Sequence, residues 1–216
     1  PQVILREGGT MSDIYIKHEL KRDPNGNIAI DPSSGNLSMQ ETGLRKAGRL
    51  APNYNVGWNN SISYQGLTLG FVVSARVGGL VYSATQGILD YYGGSQASAD
   101  ARNNGGVPIN YGKIDAKKYY QTISTAEGGY GTYYLYSATN VRLQELSLSY
   151  DFPKKWFHNK LNLSVGLLAR NLWMIYCKAP FDPELSASTS SNFYQGVDYF
   201  MQPSTRNIGF NVKVQF

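Results

Sequence analysis

No run of apolar residues in this chain approaches the ~20 that a membrane helix needs, so a helical membrane span is excluded. Charge is scarce as well: Asp, Glu, Lys and Arg make up 16% of the residues, against about 25% in an ordinary soluble domain. Cys177 is the single cysteine, which rules out an internal disulfide. It is read as incidental, in the polar segment after an apolar strand. The two histidines, His18 and His158, are far apart and have no carboxylate or cysteine at ligand spacing, so they read as surface or interface residues. There is no nucleophile elbow, P-loop or HExxH, and the chain is therefore expected to have no catalytic residue, no metal and no cofactor. The net charge of +5 is spread out with no Lys/Arg cluster, which argues against nucleic acid. The chain opens at Pro1 with no initiator Met and no secretory leader. If the protein is exported, the expectation is that several hundred residues precede Pro1.

What replaces charge is tyrosine (17), glycine (23), serine and asparagine, with 42% hydrophobic residues. That composition fits a polar all-β protein or a membrane barrel, where lumen-facing residues dilute the apolar ones. One hairpin carries most of the case. In Asn55–Val77, Val56, Trp58, Ile62 and Tyr64 share one parity, broken only by Asn60, while Gly57, Asn59, Ser61 and Ser63 share the other. After Gln65-Gly66, Leu67, Leu69, Phe71, Val73, Ala75 and Val77 alternate with Thr68, Gly70, Val72, Ser74 and Arg76. A two-residue turn sets Tyr64 opposite Leu67 and puts both apolar sets on one face. Each arm has ~10 residues, the length of a tilted membrane strand.

Further strands are expected at Asn140–Asp151, Lys160–Asn171 and Thr205–Phe216, each with apolar residues on one parity, and a weaker one at Thr10–Leu20. Pro153, Trp156 and Phe157 between two of them suit an interfacial girdle. With Phe216 at the periplasmic rim, the short links at Gln65-Gly66 and Phe152–Asn159 fall on one side. The long ones at 21–54, 78–139 and 172–204 fall on the other. Such sorting belongs to outer-membrane barrels, not sandwiches. The expected fold is all-β: the C-terminal antiparallel strands of a large transmembrane β-barrel, with long outer loops and short periplasmic turns. About six strands cannot close a wide barrel, so the sheet needs neighbours.

Several stretches resemble one family. Pro52-Asn53-Tyr54-Asn55-Val56-Gly57-Trp58-Asn59-Asn60 with Ser63-Tyr64 matches its P-x-y-x-x-G-x-x-N … Y-k strand, and Arg76-Val77-Gly78-Gly79 its R-x-G-G. Asn140-Val141-Arg142-Leu143-Gln144-Glu145-Leu146-Ser147-Leu148-Ser149-Tyr150 with Pro153 is close to n-V-R-L-r-e-L-s-L-g-Y-x-x-P. Ala169-Arg170-Asn171-Leu172, Phe181-Asp182-Pro183-Glu184, Gln195-Gly196-Val197-Asp198 and Pro203-Ser204-Thr205-Arg206 follow in the family's order. The chain resembles the C-terminal part of SusC/RagA-type TonB-dependent transporters. The resemblance implies that residues 1–216 are the C-terminal part of such a barrel, with the plug and N-terminal strands absent. It implies TonB-driven import of oligosaccharides or peptides across the bacterial outer membrane, with a SusD-like surface lipoprotein and outer-membrane lipid as partners. It also makes Phe216 resemble a barrel-assembly signal. The rivals are a porin or siderophore-receptor barrel, and a soluble β-sandwich carbohydrate-binding module.

The long outer loops are rich in tyrosine. Tyr91, Tyr92, Tyr119, Tyr120, Tyr133 and Tyr134 are candidate ligand or lid contacts, since aromatic faces stack on sugars and hydroxyls reach polar groups. Tyr130 and Tyr136 lie in the same stretch. Internal loop packing is the competing use. Asp182, Glu184 and Asp198 are candidate polar contacts in the last loop. Arg76 and Arg170 are expected to face the lumen. Arg142 shares parity with Leu146 and is expected beyond the hydrocarbon edge. Asp23-x-Asn25-x-Asn27-x-x-x-Asp31 lacks the glycine and glutamate positions of a calcium loop and reads as a turn.

Overall fold

A computed structural model describes residues 1–125, 128–185 and 196–215. The elements run β1 Gln2–Val3, β2 Asp13–Leu20, β3 Met39–Arg49, β4 Tyr54–Tyr64, β5 Leu67–Val77 and β6 Leu80–Ser83. Helices α1 Ala84–Tyr92 and α2 Gln96–Asn103 follow, then β7 Val107–Ile109, β8 Gly112–Ile114 and α3 Ala116–Ile123. Then come β9 Ser124–Thr125, β10 Gly128–Gly129, β11 Leu135–Ser137 and β12 Asn140–Asp151. A 3-10 turn at Lys154–Phe157 leads to β13 Asn162–Cys177, β14 Val197–Asp198 and β15 Asn207–Gln215. Among the described residues no helix is long and apolar enough to cross a membrane, which says nothing of strands. The contacts divide the chain into a loop unit (1–51, 79–137, 184–201) and a sheet unit (52–78, 138–183, 202–216).

The sheet unit is one antiparallel sheet of five strands, in the order β15-β13-β12-β5-β4. Its register lines the apolar residues up rung by rung. Tyr64, Leu67, Tyr150, Val165 and Val212 face one another across all five strands, as do Ile62, Leu69, Leu148, Leu167 and Phe210. The next rung is Asn60, Phe71, Leu146, Ala169 and Ile208. The opposite face carries Ser63, Thr68, Ser149, Gly166 and Asn211 on one rung. Among the described residues nothing in the unit covers the apolar face: Phe210 is 80% exposed, Ile208 75% and Leu167 58%. Among the described residues, the buried apolar side chains of this unit are small: Ala138, Ala179 and Pro183. A soluble sandwich would bury these rungs under a second sheet.

Aromatics mark both ends of that face. Tyr64, Tyr150, Phe152, Trp156 and Phe157 gather at the short-turn end, with Phe152 edge-on to Tyr150 at 4.9 Å. Tyr54, Trp173 and Tyr176 stand exposed toward the other end. β4 has 11 residues, which at ~3.3 Å per residue and a tilt of about 40° gives about 25 Å of height. That matches the apolar band of an outer-membrane barrel. The expected hairpin is present, with Tyr64 opposite Leu67. Its two-residue turn has both Gln65 (φ 46) and Gly66 (φ 87) left-handed, as a type I′ hairpin requires. The short connections lie at one end of the sheet, and the excursions through 79–137 and 184–201 start and finish at the other.

Three expectations are corrected, and the long links carry elements of their own. The Thr10–Leu20 strand is not a sixth strand of this sheet. Its ordered part, β2, lies in the loop unit in the sheet β1-β2-β3, where Asp13, Ile14, Tyr15 and Ile16 are all buried. The loop at 21–54 contains the long strand β3, and that at 78–139 contains three short helices. β13 continues six residues past Asn171, to Cys177, so the cysteine ends a strand instead of following one. Arg142 does not share a face with Leu146. A bulge between Leu143 and Glu145 shifts the register, so Leu143 stays with Val73 on the apolar face and Arg142 stands opposite Ser74 on the polar one.

The loop unit holds the hydrophobic core: Leu20, Leu37, Tyr82, Ala84, Ile109, Ile114, Ile123, Tyr134 and Val197. The helices begin on side-chain caps, with Ser83, Ser95 and Asp115 accepting from the N–H groups of Gln86, Ser98 and Lys118. The Asp23 turn closes on itself, its carboxylate accepting from the backbone N–H of Asn25 and Asn27, both at 2.8 Å. At the start of β2, Asp13 is buried and accepts from Lys46 Nζ at 2.6 Å, Thr10 Oγ1 at 2.5 Å and the Thr10 N–H at 3.1 Å. These bonds, Lys46 foremost, lower its pKa to about 2. Because the folded value lies below the unfolded ~3.9, its contribution is complete above about pH 4 and is lost as pH falls through about 2. Hydrogen-exchange protection of the β2 amides is therefore expected to decline on acidification toward pH 2. In Asp13→Asn it should be weaker at neutral pH, with this acid step gone. An unchanged step in the variant would assign it to another group.

Candidate functional site

A cavity of about 660 Å³ lies in the loop unit, lined in part by Pro1, Gln2 and Ile4. β2 supplies Tyr15, Lys17 and His18, β3 Leu44, and β6 Tyr82. Gly129, Tyr130 and Gly131 form one wall and Val197 and Tyr199 another. The His18 and Tyr130 rings meet at 5.4 Å between centroids, tilted by 56°. The Tyr82 hydroxyl donates to the Gly129 carbonyl at 2.7 Å and accepts from the N–H of the same residue. Burial raises the Tyr82 pKa, which keeps the hydroxyl neutral and able to play both parts. Gly131 is left-handed at φ +56, and a Cβ there would come within 2.6 Å of the His18 carbonyl. Only glycine lets this wall approach β2 so closely.

The predicted loop residues divide between bracing and exposure. Tyr134 is sealed at 2% exposure and donates to Asp90 at 2.9 Å. Burial first, and then the Asp90 charge, push its pKa upward. Asp90 also accepts from Gln86 Nε2 at 2.9 Å, and Ser83, which caps α1, donates to the buried Asp198 at 2.7 Å. Tyr134 and Asp198 thus tie α1 to its neighbours and are nearly sealed from solvent. Tyr119, Tyr120 and Tyr133 pack half-buried against the core. Tyr91, Tyr92 and Tyr120 converge with Arg102 and Lys117 on a second cavity of about 380 Å³. Tyr92 is 72% exposed there.

In the sheet unit, Arg142 donates to Asp182 at 2.6 Å and to Ser204 at 3.1 Å, with the arginine and aspartate side chains 5% and 8% exposed. Ser204 donates to the second Asp182 oxygen. Asp182 is therefore a brace that holds the end of the last excursion against β12. Arg76 and Arg170 both lie on the polar face, and Arg170 donates to Glu145 at 3.0 Å. Glu184 is exposed. Phe216 lies outside the described residues. Among the described residues no group of acidic, histidine or cysteine side chains is arranged to hold a metal ion.

Sequence reasoning missed Tyr15, Lys17, Tyr82 and Tyr199, and gave His18 no role. They come from separated segments, and nothing in their local spacing announces a shared wall. The tyrosine of the G-V-D-Y stretch at Tyr199 was the one available hint.

Comparison with known proteins yields no matching family model. The chain is 25% identical over 201 residues to "TonB-dependent receptor P3" of Formosa agariphila, covering 90% of this chain and 19% of that protein. It therefore spans about a fifth of the length of the curated relative it matches. Among solved structures it is similar to the RagAB peptide importer in its closed-closed state, with TM-score 0.57, 18% identity, 94% of this chain and 22% of that one. The open-open state gives TM-score 0.55 at 18% identity, covering 94% and 21%. The fold is similar to that of a segment of the RagAB importer structures.

Proposed function

We propose that this chain, a segment of a SusC/RagA-type TonB-dependent transporter, forms the C-terminal wall and outer loops of an importer in the bacterial outer membrane. The whole protein takes up oligosaccharides or peptides with energy delivered through TonB, and a SusD-like lipoprotein closes the site from outside. Residues 1–216 form the last part of the barrel, and the strand-borne Arg76, Arg142 and Arg170 face its lumen. The work is transport and not catalysis. The observation that carries this reading is the set of apolar rungs running uncovered across five strands, bounded by aromatics at both ends. Hydrocarbon is the solvent that tolerates such a face. The similarity to a TonB-dependent receptor and to the RagAB importer favours this barrel class over a porin.

The test uses the full-length protein in its own host or in a heterologous Gram-negative cell. The protein is expected in the outer-membrane fraction, soluble only with detergent. Uptake of its nutrient is expected to stop when TonB is deleted or the proton gradient is collapsed. A detergent-free soluble monomer, or uptake indifferent to TonB, would refute the proposal.

A further inference from the structure

We infer that the cavity of about 380 Å³ among α1, α2 and α3 takes a sugar unit of an oligosaccharide, stacked on Tyr92 and held at its edges by Arg102, Lys117 and Gln121. This rests on the import reading and chooses between its two substrate classes. The three helices belong to the excursion through 79–137, an outer loop in that reading.

The size is within the ~300–1,000 Å³ usual for small-molecule sites. Every lining residue lies between Asp90 and Gln121, so one stretch of chain builds the wall. α3 packs against both α1 and α2. The floor is fixed: Asp90 is 5% exposed, and its two carboxylate oxygens accept from Gln86 Nε2 and the Tyr134 hydroxyl, each at 2.9 Å. Tyr91 stands edge-on to Tyr92 at 5.1 Å between centroids and 82° between planes. It steadies a ring that is itself 72% exposed. A braced ring open to solvent is a preorganised stacking surface. Arg102 is anchored as well, donating to the Gly93 carbonyl at 2.9 Å. That bond uses one of the five N–H groups of its guanidinium.

The kind of backbone around the cavity argues against a peptide. An extended peptide draws its affinity from main-chain bonds along an open strand edge. Here every lining residue except Gly93 sits in a helix, so side chains must read the ligand. A helical peptide wants a hydrophobic groove, and this one is rimmed by Arg102, Lys117 and Gln121. A sugar suits both features. Its C–H face stacks on an aromatic ring, and its hydroxyls each donate and accept. Arg102 and Lys117 offer donors, Asp90 an acceptor, and Gln121 and the tyrosine hydroxyls both. Charges of both signs line the cavity, so the ligand need not be ionic.

The full-length protein, solubilised in detergent, is applied to an array of plant, algal and animal glycans printed beside a library of short peptides. Retention on at least one glycan is expected, and calorimetric titration with that glycan measures the affinity. Tyr92→Ala should weaken it about tenfold while Tyr92→Trp keeps it. Lys117→Ala should weaken it about threefold. Tyr111→Ala, at an exposed position outside the cavity, should change nothing. The melting temperature of Tyr92→Ala should match the parent, because the ring is largely exposed. Retention on no glycan, or Tyr92→Ala titrating like the parent, overturns the site. Retention on peptides that is lost with Tyr92 overturns the choice of sugar. Binding to the array does not involve TonB. Its failure beside TonB-dependent uptake therefore rejects this inference alone, and the expected binding beside TonB-independent uptake rejects the transport reading alone.

Discussion

Leu148→Arg in the full-length protein is expected to remove most of the folded barrel from the outer membrane, at a cost of about 2–4 kcal/mol. Leu148 sits on the central strand of the sheet, in the middle of the rung from Ile62 to Phe210. It is 41% exposed, so no protein neighbour is available to shield a guanidinium. At mid-depth the arginine is also too far from either interface to reach water easily. Ser61→Arg is the matched control. It places the same charge on the polar face of β4, opposite Gly70, and is expected to change stability by less than about 1 kcal/mol. Urea titration in lipid vesicles measures both. Equal losses for the two variants would mean that the apolar face does not meet hydrocarbon.

The second large effect is expected at the buried ion pair. Arg142→Ala leaves the Asp182 carboxylate in a site where both side chains are under a tenth exposed, and removing one partner of such a pair costs about 3–5 kcal/mol. Ser204 still donates to Asp182 and offsets part of that loss. The combined change Arg142→Met with Asp182→Leu is expected to recover most of the stability, because the desolvation cost disappears with both charges. A double-mutant cycle on the full-length protein reads the coupling directly. Single losses under about 1 kcal/mol would show a pair solvated like one on an open surface.

The parts of the fold legible in the sequence are those where the count of two is never shifted, even where a single polar residue such as Asn60 stands on the apolar parity. β4 and β5 form one such region, and the β12 strand from Glu145 to Tyr150 is another. Legibility ends where one residue breaks the count. Gln144 is the extra residue of the β12 bulge, and beyond it counting in twos assigns Arg142 to the wrong face. Asn171 is left-handed at φ 51 inside β13, which explains why the strand looks finished there although it continues to Cys177. β3 escaped because Glu41, Thr42, Arg45 and Lys46 give it no apolar parity to follow. The helices α1, α2 and α3 have only 9, 8 and 8 residues, too short for helical periodicity to stand out. A cap signal was nevertheless present in Ser83-Ala84-Thr85-Gln86. For the candidate site, composition located the tyrosines in the right loops but could not separate Tyr134, sealed on Asp90, from Tyr92 at the surface. That distinction depends on tertiary packing, which local pattern does not encode.

The contrast between the two units has a calorimetric consequence. A globular protein absorbs extra heat per degree on unfolding because its oily interior is transferred to water. In this chain that transfer is available to the loop unit, where Ile14, Ile16, Leu20 and Val81 are nearly inaccessible. In the proposed barrel the rungs of the sheet touch hydrocarbon when folded and still touch it when the strands come apart within a micelle or bilayer. Melting of the full-length protein should therefore show a heat-capacity increment per residue below that of a water-soluble domain, arising chiefly from the loops.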